Sequence, residues 1–186
     1  WYPNAVREGR KLLQEVPIDA ILSTSGPYTN HLVARRLRRP RIPWVADFRD
    51  PWTQNMHRSG IRWRERLEEG MERSVMQEAD VVLTVTRSFA RGFREKYGES
   101  IRRLEVIHNG FDAADYESVE GEKNPGRCTF TYTGIFYRER NPRLLLRAVR
   151  ELLDRGAIPR ERICLRFAGV FDYPGYSENR EAVQAL

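Results

Sequence analysis

Only two cysteines, Cys128 and Cys164, occur in the 186 residues, far apart and with no C-x-x-C pair or histidine at ligand spacing. This excludes a disulfide scaffold and a thiolate metal site; both fall in segments that read as strands, so reduced core thiols in a cytosolic protein are expected. Lysine is as scarce, three (Lys11, Lys96 and Lys123) among 32 basic side chains, the remainder being arginine. No apolar run exceeds a few residues, as at Val81-Val82-Leu83, against the roughly 20 that a membrane-spanning helix needs. A G-x-G-x-x-G fingerprint, a Walker loop, internal repeats, low-complexity tracts and clustered metal ligands are all missing. The three histidines, His31, His57 and His108, are scattered and read as structural or solvated. Position 1 is Trp, and Trp1-Tyr2-Pro3-Asn4 is neither a basic leader nor a tag, so the chain reads as an internal piece of a longer protein.

With 40% hydrophobic and 31% charged residues, the chain has enough apolar material for a sizeable core, and a disordered or collagen-like chain is excluded. The net charge of +6 sits in the first part: residues 1–110 hold 20 basic and 14 acidic side chains, and the remainder balances. The densest run is Arg35, Arg36, Arg38, Arg39 and Arg41, readable as a solvated face or as a surface for anionic lipid head groups.

Apolar positions at helical spacing predict helices over 4–16, from a cap at Thr29 or Asn30 to Leu37, over 61–78 (Trp63, Leu67, Met71, Val75), over 87–97 and over 142–155. Short apolar runs predict strands over 19–24, 44–48, 80–85, 104–107, 128–133 and 163–168. A loop at 173–175 and a helix from Glu178 close the chain. Strict alternation of strand and helix predicts a parallel sheet with helices on both faces. Residues 111–127 are acidic, contain Gly and Pro, and have neither period, which marks a linker between two α/β domains.

Parallel sheets bind ligands beyond the carboxyl ends of their strands, which directs attention to four loops. Ser23-Thr24-Ser25-Gly26-Pro27 is either a capped turn or an anion nest ahead of a helix. Asp47-Phe48-Arg49-Asp50-Pro51-Trp52 gathers two carboxylates, a guanidinium and an indole; a structural salt bridge with a buried Trp accounts for it as well as a binding loop does. Ile107-His108-Asn109-Gly110 reads as a tight turn tolerant of positive φ. Tyr132-Thr133-Gly134, followed by Arg138, Arg140 and Asn141 just before a helix, suits a diphosphate through guanidinium forks and the helix dipole.

Taken in order, Ile18–Pro27, Ile42–Trp52, Ala79–Thr86, Val106–Asp112 and Tyr132–Pro142 resemble the middle of a GT-B glycosyltransferase of the retaining family 4 group. The resemblance implies two Rossmann-like parallel-sheet domains, each only partly present. Residues 1–112 would be the C-terminal part of the N-terminal, acceptor-side domain, 113–127 the linker, and 128–186 the start of the donor-binding domain. It further implies a nucleotide-sugar donor whose diphosphate is held at Gly134 with Arg138 and Arg140. Arg140 stands where many relatives have Lys, and Ile135 where many have Arg. Asp47, Arg49 and Asp50 occupy the place of a catalytic-site histidine in many relatives, and Ser25, Gly26, Trp52, Asn109 and Gly110 would line the cleft and hinge.

Neither a metal nor another cofactor is implied; the nucleotide sugar is a substrate. The expected acceptor is a glycan, a lipid-linked molecule or a small molecule, with a cytoplasmic or membrane-peripheral enzyme and no nucleic-acid partner. A GT-B epimerase or phosphorylase, or a non-catalytic nucleotide-binding α/β module, is the rival reading. The basic charge favours a nucleic-acid binder superficially, yet a K/R-G-F/Y-G/A-F stacking motif is missing.

Overall fold

A computed structural model describes residues 1–55, 59–117, 126–136 and 140–170. The chain forms two compact units, Trp1–Asp112 and Ala113–Leu186. The loop expected at 173–175, the helix expected from Glu178 and residues 118–125 of the expected linker lie outside the described residues.

The first unit runs α1 (Tyr2–Glu15), β1 (Ile21–Thr24), α2 (Thr29–Leu37), β2 (Trp44–Phe48), α3 (Arg62–Glu78), β3 (Val81–Thr84), α4 (Arg87–Tyr97) and β4 (Leu104–Val106). Its strands form one parallel sheet in the order β1-β2-β3-β4, with Ser23 beside Ala46, Ala46 beside Val82 and Val82 beside Leu104. Period-two alternation buries Trp44, Ala46 and Phe48 on one face of β2, where Ala34 of α2, Val75 and Met76 of α3 and Phe93 and Tyr97 of α4 close over them. The His31 ring stacks on Phe48 at 4.3 Å, and Phe93 meets the same ring edge-on at 5.5 Å. Each fully buried aromatic or large aliphatic here contributes about 1.5–3 kcal/mol through removal of apolar surface from water.

These contacts put α2, α3 and α4 on a single face, which corrects the expectation of helices on both. Strands laid down in chain order, each reached by a right-handed crossover, leave every crossover helix on the same side. On the other face Leu22 stays 68% exposed. Trp63 and Leu67, expected on the buried stripe of α3, are exposed too; burial on this helix is confined to Glu72, Val75 and Met76.

Local chemistry sets the element ends. Pro3 opens α1, and α4 starts where the Thr86 hydroxyl accepts from the Phe89 amide at 3.1 Å, ending at Gly98 with φ +53°. Neither Thr29 nor Asn30 caps α2: Tyr28 holds the N-cap position without a side-chain bond, and Asn30 Nδ2 donates back to the Thr24 carbonyl at 3.1 Å.

The second unit is a β-α-β element of β5 (Cys128–Ile135), α5 (Arg143–Asp154) and β6 (Ile163–Val170), its two strands parallel and paired along their whole length. Cys128 is exposed and Cys164 half-buried, where core positions were expected. Gly134, expected on a loop, lies within β5 and pairs with Gly169 of β6. The two glycines have φ of +152° and +146°, and a Cβ at Gly169 would fall on the Gly134 carbonyl. Side chains at these positions would hold the strands apart, which is why the ladder continues past Thr133.

Candidate functional site

Register brings the ends of β1 and β2 side by side, since Thr24 pairs with Asp47. The Thr24 hydroxyl donates to Asp47 Oδ2 at 2.8 Å, the Ser25 amide to the Asp47 carbonyl at 2.9 Å, and the Arg49 amide to Ser25 Oγ at 3.0 Å. Ser25 therefore spends its amide on the sheet. Gly26 follows with φ +93° and open space around its Cα, as a turn needing left-handed backbone requires.

The Asp47 carboxylate is engaged by Thr24, while none of these bonds uses the Arg49 guanidinium or the Asp50 carboxylate. Among the described residues, Asp47, Arg49 and Asp50 form no ion pair with one another or with any other group. Asp47 is half-buried, and Arg49 and Asp50 are exposed. The structural salt bridge that would have explained this cluster is not formed. Trp52 is half-buried and lies parallel on Tyr28, ring centres 5.1 Å apart and planes at 1°, while Tyr28 Oη donates to the Pro51 carbonyl at 2.9 Å. Burial pushes the Tyr28 phenol above its ordinary value, so it stays a donor at neutral pH.

The loop is also held from beneath. Glu72 of α3 is fully buried; its Oε1 accepts from the Trp52 and Thr53 amides at 3.1 and 3.3 Å. Its Oε2 accepts from the Thr53 hydroxyl, from Lys96 Nζ at 3.1 Å and from Tyr97 Oη at 2.5 Å. Burial and the Glu72 carboxylate raise the Tyr97 phenol far above its usual range. Gln54 Nε2 reaches the Gly92 carbonyl of α4 at 3.4 Å, and Asn55 Nδ2 closes on the Pro51 and Trp52 carbonyls. The signal for Glu72 in the sequence is its place three residues before Val75 and four before Met76, on their face of the helix, where a solvated carboxylate is out of place.

At the end of β4, His108 Nδ1 lies 2.9 Å from the Val85 carbonyl. A carbonyl only accepts, so Nδ1 of the exposed ring carries a proton and donates. Asn109 and Gly110 are exposed and make no tight turn: residues 107–112 have no turn geometry, and Gly110 has no positive φ. His57 lies outside the described residues.

In the second unit Gly134 sits at the carboxyl end of β5, where the Tyr132 hydroxyl would stand 2.9 Å from a Cβ at this position. Arg140 is exposed and precedes α5, whose Arg143 amide is taken by Asn141 Oδ1 at 3.1 Å. Arg138 lies outside the described residues. No group of three or more potential metal ligands occurs among the described residues, and no described helix is long and apolar enough to cross a membrane.

Parallel strands joined by helices make a partial Rossmann-like α/β fold, consistent with the GT-B type. The chain belongs to the glycosyl transferase 4-like family: the model of the glycosyl transferase 4-like domain matches residues 1–110, almost the whole of the first unit. Comparison with curated proteins gives no match.

Proposed function

We propose that the protein transfers a sugar, with retention of anomeric configuration, from a nucleotide-sugar donor to an acceptor hydroxyl, in cell-envelope or exopolysaccharide synthesis on the cytoplasmic side. The observation that carries this reading is the Asp47–Asp50 turn, which presents two carboxylates and a guanidinium without ion-pair partners among the described residues, at the strand ends of a glycosyl transferase 4-like domain. Charged groups left unpaired at a ligand edge are available to bind sugar hydroxyls and to stabilise developing charge.

On this reading Asp47, Arg49 and Asp50 face the acceptor. The donor diphosphate rests near Gly134, with Arg140 and the amino end of α5 opposing its charge. The bond from the anomeric carbon to the diphosphate breaks as the acceptor oxygen bonds to that carbon. The acceptor proton passes to a phosphate oxygen of the departing nucleoside diphosphate, so neither a metal nor a covalent sugar–protein intermediate is required. Asp47 and Asp50 orient the acceptor, and Arg49 stabilises negative charge. The exposed Arg36, Arg39 and Arg41 suit a lipid-linked acceptor at an anionic surface.

The test is a thermal-shift panel of UDP-glucose, UDP-N-acetylglucosamine and GDP-mannose on the intact protein, followed by detection of released nucleoside diphosphate and the anomeric configuration of the product. A raised melting temperature and a retained anomer support the transferase. Release that requires added orthophosphate identifies a phosphorylase, epimerised sugar identifies an epimerase, and stabilisation without turnover identifies a binding module.

A further inference from the structure

We propose that Glu72 is the positioning residue of the Asp47–Trp52 site. The inference rests on the reading of that loop as acceptor-facing, and deepens it. Arg49 and Asp50 lie between two fixed points. On the sheet side the Arg49 amide is bound to Ser25 Oγ at 3.0 Å. On the helix side the Trp52 and Thr53 amides converge on one buried carboxylate oxygen, Glu72 Oε1.

A connector between β2 and α3 has no need of a fully buried carboxylate; an apolar side chain at position 72 would fill the same space without the desolvation cost. What a carboxylate alone supplies is multiple acceptor capacity. It takes two backbone amides on one oxygen and the Thr53 hydroxyl, the Lys96 ammonium and the Tyr97 hydroxyl on the other. Loop, α3 and α4 thereby meet at a single side chain. The consequence reaches the surface: with the Trp52 amide fixed, its indole stacks flat on Tyr28 and the preceding Arg49-Asp50 pair is held ready for a substrate. Preorganised charges stabilise a transition state without reorganising during the reaction.

The test compares wild type, Glu72→Gln and Thr53→Val in the intact protein. Glutamine keeps the shape but turns an amide NH2 toward the Lys96 ammonium. Valine removes one hydroxyl and leaves the Glu72–Lys96 pair, so it serves if the glutamine variant fails to fold. Hydrogen exchange followed by mass spectrometry is expected to show faster exchange, by about tenfold or more, confined to residues 49–55, with β2 and β3 unchanged. Nucleoside diphosphate release is then measured with whichever of UDP-glucose, UDP-N-acetylglucosamine or GDP-mannose raises the melting temperature. A fall in kcat at unchanged donor KM is expected, expressed per folded molecule because loss of folded protein by itself lowers apparent kcat without moving KM. Unchanged exchange at 49–55 overturns the role of Glu72 whatever happens to turnover. A loosened loop with unchanged kcat overturns instead the reading of the loop as acceptor-facing, so the two failures are distinguishable.

Discussion

At Arg49 backbone and side chain have separate tasks. The amide is committed to Ser25 Oγ, and the exposed guanidinium has no ion-pair partner among the described residues. Arg49→Ala is therefore expected to change unfolding free energy in urea by less than about 0.5 kcal/mol. Nucleoside diphosphate release should drop about tenfold or more, the scale of a lost charged hydrogen bond. A collapse in melting temperature with unchanged activity per folded molecule would return Arg49 to a structural role. Arg140→Ala is expected to weaken nucleoside diphosphate binding about ten- to a hundredfold by calorimetric titration, with Arg140→Lys retaining part of the affinity as a point charge without the fork.

His31 is the buried counterpart. Trp44 Nε1 donates to Ser23 Oγ at 2.8 Å, and the same oxygen lies 2.8 Å from His31 Nδ1. The other ring nitrogen, Nε2, finds no hydrogen-bond partner among the described residues. Burial pushes this imidazole down to about 4 from 6.5. Because the folded value is the depressed one, the unfolded chain binds the proton first on acidification. Stability is fully present above pH 6.5 and is lost as pH falls from 6.5 toward about 4, by about 3 kcal/mol from this group. Urea melts between pH 7 and 4.5 should show a shallower fall for His31→Gln than for wild type; parallel curves would mean that His31 does not titrate in this window.

Among elements, strand positions were the legible part. Apolar runs such as Trp44–Phe48 and Val81–Thr84 stand out by composition, and the observed strands fall inside the expected ranges or extend them by two residues at β5 and β6. Which face each element buries was not legible. Trp63 and Leu67 obey the helical period as well as Val75 does, yet only the latter faces the sheet, because period fixes a stripe and tertiary packing decides how much of it is covered. The site was legible as a set of residue types on strand-end loops, while its support was hidden. The acceptors of the Trp52 and Thr53 amides come from Glu72, twenty and nineteen residues away, a link that no local pattern announces. Gly169 was hidden for a similar reason, since its constraint is the neighbouring strand. Gly169→Ala is expected to break the β5–β6 ladder at its carboxyl end, where a methyl would overlap the Gly134 carbonyl. Amides of β5 and β6 should then exchange faster while those of β2 and β3 keep their protection; uniform exchange rates in both proteins would show that the ladder accommodates the methyl.

For the molecule as a whole, the distribution of charge matters more than its total. All of the net +6 lies within residues 1–110, but part of the arginine run is neutralised locally. Arg35 binds Glu78 at 2.6 Å, and Arg38 stands 4.0 and 3.9 Å from Glu78 and Asp80. Arg36, Arg39 and Arg41 are exposed without ion pairs among the described residues, so their field is open to an external anion. A basic side chain at an anionic bilayer contributes about 1 kcal/mol, and three acting together shift partitioning on the order of a hundredfold. The intact protein is expected to sediment with phosphatidylglycerol vesicles at low ionic strength and not with phosphatidylcholine. Binding should fade toward about 0.5 M salt as the Debye length shrinks to a few ångströms. Replacing Arg36, Arg39 and Arg41 together by Gln should abolish most of the sedimentation and leave the melting temperature in place, because none of the three holds an internal partner. If the triple variant partitions like wild type, the run is a solvated face, and an acceptor free in solution becomes the better reading.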